Sequence, residues 1–277
     1  DVASGENSVN LDAWAMRKEE IETLAGSGNL IVEGAMGLFD GAGVSGVGSS
    51  ADLAKILSLP VVLVIDSGKT AHSIAALVQG FKSFDNHVTI AGVILNRVAS
   101  DRHLNILSAA LSKIDVPLLG FMFKSNIFSL SERHLGLVQA SENQNLEHWI
   151  DTVAEALAPS LDLETLTELT SQPKLKAQEN KKPPGQRIAV ARDVAFEFSY
   201  PHHLRSWRLA GASISFFSPV ADEAVAKDAD FIFLPGGYPE LHAGQIAAAQ
   251  RFKSSIKGHA ANDTPIYGEC GGYMTLG

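Results

Sequence analysis

One thiol stands in a setting that could make it a nucleophile. Cys270, the single cysteine of the 277 residues, lies in Gly268-Glu269-Cys270-Gly271-Gly272, where the strand-like run Pro265 to Glu269 ends. A nucleophile on a sharp strand-to-helix turn sits in strained backbone, and flanking glycines remove the steric conflict. The N-terminus of a following helix favours a thiolate, and the Gly271 N–H can donate to an oxyanion. A second segment, Leu234-Pro235-Gly236-Gly237-Tyr238-Pro239-Glu240, follows another apolar run. Its Gly236 and Gly237 could offer unhindered N–H groups to the same oxyanion. In a parallel sheet both segments lie on the edge where ligands bind. Taken singly, the first could be a structural cysteine in a Gly-rich turn and the second an ordinary Pro-Gly-Gly turn. Together they are specific, and the pair predicts a thiol nucleophile at Cys270 with oxyanion donors at Gly271 and at Gly236 or Gly237.

The other half of the chain offers acids and an amide at strand ends. Glu33 stands where an apolar run gives way to Gly-rich sequence. A carboxylate there can hold Mg²⁺ beside nucleotide phosphates, or it can merely cap a turn. Asp40 lies in the same loop and could bind metal or substrate. The loop's Gly34, Gly37, Gly41, Gly43, Gly46 and Gly48 could be ordered by a ligand or simply be mobile. Asn96 ends a further apolar run, and an Asn amide can pair with adenine as both donor and acceptor. Ser67-Gly68-Lys69-Thr70 is similar to the end of a Walker A loop, but the first glycine of that motif would fall at position 63, a leucine inside a strand. Gly68-Lys69-Thr70 is therefore expected to open a helix. The nine histidines form no metal-type cluster: His202 and His203 are adjacent and suit one metal poorly. His134 could touch a substrate or be structural, and His242 is expected at a helix start.

The elements that must position these residues follow from hydrophobic periodicity. Strands are expected at Leu30 to Glu33, Val61 to Asp66, Val88 to Leu95, Pro117 to Met122, Ile188 to Ala191, Ser213 to Phe217, Phe231 to Leu234 and Pro265 to Glu269. Helical spacing joins Ile74, Leu77, Val78 and Phe81, then Ile150, Val153, Ala154 and Leu157, then Ile246, Ala249, Phe252 and Ile256. Alternation of apolar strands with helices predicts an α/β fold whose parallel sheets are covered on both faces. The polar, basic, Pro-rich run through Gln172-Pro173-Lys174 to Pro183-Pro184-Gly185 reads as a linker. The predicted organisation is one domain over 1–158, a linker over 159–186 and a second domain over 187–277.

Composition excludes several classes. A net charge of −9 argues against a nucleic-acid partner. No apolar run could span a bilayer and no signal peptide is evident, so a soluble cytoplasmic protein without a membrane partner is expected. One cysteine rules out an internal disulfide framework and a multi-thiolate zinc site.

The motifs resemble a known family. Pro-Gly-Gly-Tyr-Pro-Glu-Leu at 235–241 and Gly-Glu-Cys-Gly-Gly-Tyr-Met at 268–274 are similar to the class I glutamine amidotransferase domain of the cobyrinic acid a,c-diamide synthases. Val32 to Gly41, Gly92 to Arg97 and Arg133 to Leu137 resemble that family's ATP-binding domain, and Asn10-Leu11-Asp12-Ala13-Trp14 resembles the stretch after its phosphate loop. Tyr200-Pro201-His202, Ser206-Trp207-Arg208 and Phe217 to Ala224 look most like the aerobic branch, which acts on hydrogenobyrinic acid. The resemblance implies a P-loop-type, dethiobiotin synthetase-like ATP-binding domain followed by the amidotransferase domain. It implies a ligase, with Mg²⁺ held by Glu33, ATP contacted by Asn96, and glutamine and a corrinoid precursor as substrates; a homodimer is left open. The a and c carboxylates of the corrinoid would be amidated in turn. Nickel-sirohydrochlorin a,c-diamide synthase shares nearly every motif and is an alternative; a non-catalytic nucleotide-dependent regulator is an alternative of another class. The family's phosphate loop and the histidine that serves its thiol have no counterpart between Asp1 and Gly277. The resemblance thus implies a chain truncated at both ends, with doubtful ATP binding and little or no glutamine hydrolysis of its own.

Overall fold

The computed structural model describes residues 3–26, 28–129, 132–133, 136–138, 140–143, 145–170 and 182–277. His134, Leu135 and residues 171–181 of the expected linker lie outside the described residues. The chain divides into two compact units, one of Asp1–Gly5 and Leu11–Ala177, the other of Glu6–Asn10 and Gln178–Gly277.

In the first unit the chain runs through α1 (Lys18–Leu24), α2 (Ser50–Leu57), β1 (Val61–Asp66), α3 (Ser73–Phe84), β2 (Ile90–Val98), α4 (Asp101–Leu111) and β3 (Leu118–Phe123). A short antiparallel pair, β4 (Glu132–Arg133) and β5 (Gly136–Leu137), precedes α5 (Leu146–Leu157) and α6 (Leu163–Glu168). β1, β2 and β3 form a parallel sheet in that order. The βα alternation dictates this arrangement, because parallel neighbours need a crossover and the helices α3 and α4 supply it. Ile74 and Val78 on α3 and Leu107, Ala110 and Leu111 on α4 pack against Leu63, Ile65, Val93 and Leu95. Ile74 and Val78 are buried as their spacing predicts, whereas Leu77 on the same expected face is exposed.

In the second unit β6 (Arg187–Ala191), α7 (Pro201–Leu209), β7 (Ser213–Phe217), β8 (Phe231–Leu234), α8 (Ala243–Ala248), α9 (Gln250–Ala261), β9 (Ile266–Gly268) and α10 (Gly271–Leu276) follow in turn. The parallel sheet has the order β7-β6-β8-β9. Its inner strands, β6 and β8, are covered on both faces: Phe196, Val225, Ala249 and Phe252 lie against Ala189, Ala191, Ile232 and Leu234, while Leu204 and Ala212 lie against Ile188, Val190 and Phe233. His202 and His203 occupy the first turn of α7, and His242 precedes α8, as expected.

Three expectations are corrected. Leu30 to Glu33 is not a strand among the described residues. Leu30 and Val32 instead pack against the small cluster of Ile21, Leu53 and Leu57, leaving Ile31 93% exposed. An apolar run carries the strand pattern, but a strand exists only where a neighbour accepts its ladder. The helix expected through Ile246, Ala249, Phe252 and Ile256 is two helices, broken at Ala249 (φ −69°, ψ 85°). The Asp222 carboxylate accepts the Phe252 N–H at 2.9 Å, capping α9 from a distant loop. Finally, Gly68-Lys69-Thr70 forms a turn, and α3 starts only at Ser73.

The stretch expected to begin the linker is structured as far as residue 170. Leu161 bridges Gly120 in antiparallel fashion, and the Asp162 N–H donates to the Leu119 carbonyl at 2.8 Å, so this segment borders β3 before α6 begins.

Candidate functional site

The thiol's position is set by strand register. β8 and β9 pair with Leu234 opposite Gly268, so Pro235-Gly236-Gly237 and Glu269-Cys270-Gly271 leave the sheet side by side. The Glu269 N–H donates to the Leu234 carbonyl at 3.2 Å and extends the ladder by one step. Cys270 then adopts φ 49°, ψ −119°, a conformation costly for a residue with a side chain, and α10 starts at the next residue. The Gly272 N–H returns to the Glu269 carbonyl at 2.8 Å and the Met274 N–H to the Cys270 carbonyl at 3.2 Å, which over-determines the turn. Cys270 is exposed.

The glycines are required by close approach of backbone to backbone. A Cβ on Gly272 would lie 2.0 Å from the Leu234 carbonyl oxygen, and one on Gly237 (φ 156°) would lie 2.0 Å from that of Ala195. A Cβ on Gly271 would meet the Pro239 ring at 2.5 Å and the Gly237 carbonyl oxygen at 3.0 Å; one on Gly236 would stand 3.2 Å from the Cys270 Cβ. The two loops therefore pack without side chains between them. Phe198 adds a third wall: its N–H donates to the Gly236 carbonyl at 3.1 Å and its ring meets Tyr238 edge-on at 5.3 Å. Sequence reasoning missed Ala195 and Phe198, whose part depends on a chain separation that no local pattern records. Among the described residues, the N–H groups of Gly237 and Gly271 donate to no protein acceptor.

Glu269 is half-buried beside the thiol. Desolvation pushes its carboxyl above the usual carboxylate range, and a hydrogen bond with Tyr267 partly opposes this. His202, on α7, has both ring nitrogens buried without a hydrogen-bond partner, and burial together with the neighbouring His203 lowers its pKa to about 4.

The candidate residues of the first unit are spread over two places. Asn96 and Asp66 are paired across β2 and β1 at the C-terminal ends of those strands. Asn96 is partly buried, and among the described residues its side-chain amide has no protein partner. Glu33 and Asp40 lie in the loop before α2. Glu33 is exposed and in no ion pair among the described residues. A Cβ on the next residue, Gly34, would sit 2.7 Å from the Ser50 hydroxyl at the start of α2. The Asp40 carboxylate folds over Gly37, where a Cβ would meet it at 2.2 Å. The loop is closed rather than open, since Ala42 and Val47 bridge and the Ala42 N–H reaches the Val47 carbonyl at 2.8 Å. Among the described residues no group of three or more His, Cys, Asp or Glu is gathered as for a metal. One exposed carboxylate with a nearby hydroxyl is a hard-oxygen set compatible with Mg²⁺, which binds through one or two carboxylates plus substrate phosphates. No helix among the described residues is long and apolar enough to cross a membrane.

Residues 187–277 match the CobB/CobQ-like glutamine amidotransferase domain, and residues 2–123 match an AAA domain. Over 99% of its length the chain is 52% identical to a protein of Brucella anthropi and 53% identical to one of Brucella abortus biovar 1, and it is 48% identical to one of Rhizobium meliloti. All three are named hydrogenobyrinate a,c-diamide synthase. The chain spans 65% of the length of each. No solved structure matches.

Proposed function

We propose that the chain is part of a hydrogenobyrinate a,c-diamide synthase, a reading supported by its likeness to relatives so named and by the amidotransferase match, and that the protein containing it transfers the amide nitrogen of glutamine to the a and c carboxylates of hydrogenobyrinic acid. The observation that carries the reading is the pairing of Leu234 with Gly268, which brings Cys270, in its strained turn, against the Gly236-Gly237 backbone.

In this reading the Cys270 sulfur attacks the carboxamide carbon of glutamine after a base has taken the thiol proton. The carbonyl oxygen becomes an oxyanion that accepts hydrogen bonds from the unengaged N–H groups of Gly237 and Gly271. Ammonia leaves as the tetrahedral intermediate collapses to a glutamyl thioester, and water hydrolyses the thioester to glutamate and free thiol. The turn fixes the sulfur before substrate arrives, so little reorganisation is needed at the reacting atoms.

ATP with Mg²⁺, when bound, supplies the phosphoryl group that makes a corrinoid carboxylate electrophilic towards ammonia. The first unit's contribution is to hold the nucleotide and the acceptor. Glu33 is assigned to the metal, Asn96 to the adenine edge, and Asp40 with its closed Gly-rich loop to the metal or the acceptor.

The test uses the full-length protein. Cys270→Ser should lower glutamine-dependent amidation of hydrogenobyrinic acid by at least about a thousandfold, while amidation driven by added ammonium persists. Loss of both activities would show that Cys270 does more than release ammonia, and retention of the glutamine-dependent activity would refute the nucleophile assignment. Faster turnover of nickel-sirohydrochlorin than of hydrogenobyrinic acid would move the protein to the alternative acceptor.

A further inference from the structure

Two adjacent glycines beside a reacting centre pose a problem of direction. With no Cβ on either side, the peptide group that joins Gly236 to Gly237 can turn as a plate between its two Cα atoms, and each turn aims the Gly237 N–H differently. An oxyanion donor must be aimed before the charge develops.

The segment that follows β6 supplies the aim. Phe198 pairs with Gly236 as an isolated antiparallel bridge, and its N–H donates to the Gly236 carbonyl at 3.1 Å. That carbonyl and the Gly237 N–H belong to one planar trans peptide, so they point in opposite directions. Holding the oxygen towards Phe198 therefore turns the Gly237 N–H away from it, and among the described residues this N–H meets no protein acceptor. A hydrogen bond accepted by the carbonyl also polarises the same amide and strengthens its N–H as a donor. The same segment closes on Gly237 itself: a Cβ there would stand 2.0 Å from the Ala195 carbonyl oxygen and 3.1 Å from the Phe196 Cα.

One carboxylate anchors this strap. Oδ1 of Asp193 accepts the Ala195 N–H at 2.9 Å, and Oδ2 accepts the Ser218 hydroxyl at 2.7 Å and the Val220 N–H at 2.9 Å, both in the loop after β7. The Asp193 carbonyl accepts the Phe196 N–H at 2.9 Å, and Ala195 and Phe196 are fully buried. The bond to Gly236 is thus made from a segment fixed at its start to a neighbouring strand's loop.

We infer that the strap from Asp193 to Phe198 orients the Gly236–Gly237 peptide for oxyanion stabilisation, the Phe198 N–H aiming it and Asp193 holding the strap in place. The inference rests on the reading of Cys270 as the nucleophile. Asp193 and Phe198 are positioning residues; they act through the peptide and not on glutamine. Their effect is confined to steps that build charge on a carbonyl oxygen. Attack of the thiol on glutamine builds such charge, whereas its alkylation by iodoacetamide displaces iodide at a saturated carbon and builds none.

The full-length protein is the test. Replacing Phe198 by its α-hydroxy acid exchanges the N–H for an ester oxygen and keeps the ring. Glutaminase kcat should fall at least about tenfold with KM within about twofold, while alkylation of Cys270 by iodoacetamide and ammonium-driven amidation change less than about twofold. Phe198→Ala loses the ring but keeps the N–H, so its kcat should stay at least about threefold above that of the ester. Asp193→Ala should repeat the loss in kcat by at least about threefold, and Asp193→Asn, which keeps one acceptor oxygen, should recover part of it. An unchanged kcat in the ester, an equal loss in Phe198→Ala, or alkylation falling in step with kcat would each overturn the strap's part in aiming the amide. Glutaminase activity that survives Cys270→Ser would instead refute the nucleophile reading beneath it.

Discussion

The ends of two pairs of parallel strands are fixed by opposite means. In the second unit the loops after β8 and β9 meet backbone against backbone, and glycines at 236, 237, 271 and 272 let them do so. In the first unit the loops after β1 and β2 are held by side chains reaching across: Asp66 to Arg97, Ser67 to the Asn96 carbonyl, His103 to the Thr70 carbonyl. The first method gives a thiol a fixed position relative to two amide groups and admits almost no substitution. The second ties two loops together through separate side-chain contacts, each of which can be removed singly.

The largest expected effect breaks the backbone contact. Gly237→Ala places a methyl within 2.0 Å of the Ala195 carbonyl oxygen at φ 156°, so it should cost more than about 3 kcal/mol, read as a lowered urea midpoint of the second unit, with glutaminase activity lost in the full-length protein. A stability change under about 1 kcal/mol would mean that the two loops can separate cheaply. Acid comes next. His202 is neutral in the fold down to about pH 4, while in the unfolded chain it protonates near its ordinary 6.5. Between these values the unfolded state binds the extra proton, so stability falls as pH drops from about 6.5 to about 4. The loss should be roughly 1–2 kcal/mol after allowance for partial exposure. Hydrogen exchange should show it in α7 and its sheet but not in β1–β3, and His202→Phe should flatten the slope.

Smaller effects probe remote side-chain support. Asp222→Ala removes the acceptor for the Phe252 N–H and should cost about 1 kcal/mol, with faster exchange confined to the first turn of α9. Ser67→Ala leaves the Asn96 carbonyl with the Ser67 N–H as donor, so it should cost under about 1 kcal/mol in thermal unfolding. A larger loss would show that the first unit's edge is as intolerant as the elbow, and the contrast between the two would close.

What could be read from the sequence follows the same line. β1, β7 and β8 fall where the apolar runs predict, because runs rich in β-branched and aromatic residues favour extended backbone even at the edge positions of β1 and β7. The Cys270 elbow and the Gly236-Gly237 turn are legible because a steric requirement is written in the residue that meets it. Leu30 to Glu33 has the same apolar pattern as β1, but pairing depends on a neighbour, which the run itself cannot specify. The break at Ala249 was equally hidden, because its cap comes from Asp222, 30 residues away along the chain. Ser67 stood out only within a rejected Walker A likeness and His103 not at all: a serine after a strand and a histidine on a helix acquire their parts only when the loops meet.

The pairing of Leu234 with Gly268 has a consequence for how such a protein can change over generations. The thiol's distance from its amide partners is measured out by counting residues along two strands, as on a ruler. Deleting or inserting one residue between Ile266 and Cys270 would slide the sulfur by about 3.3 Å and turn it to the other face of the sheet. Within β9 the exposed Tyr267 is free to drift as long as the tally is kept, whereas a Cβ on Gly268 would lie 2.9 Å from the Gly272 backbone. Lineages that alter the length of this segment should lose the thiol's placement against the Gly236-Gly237 turn, while those that alter only Tyr267 should keep it.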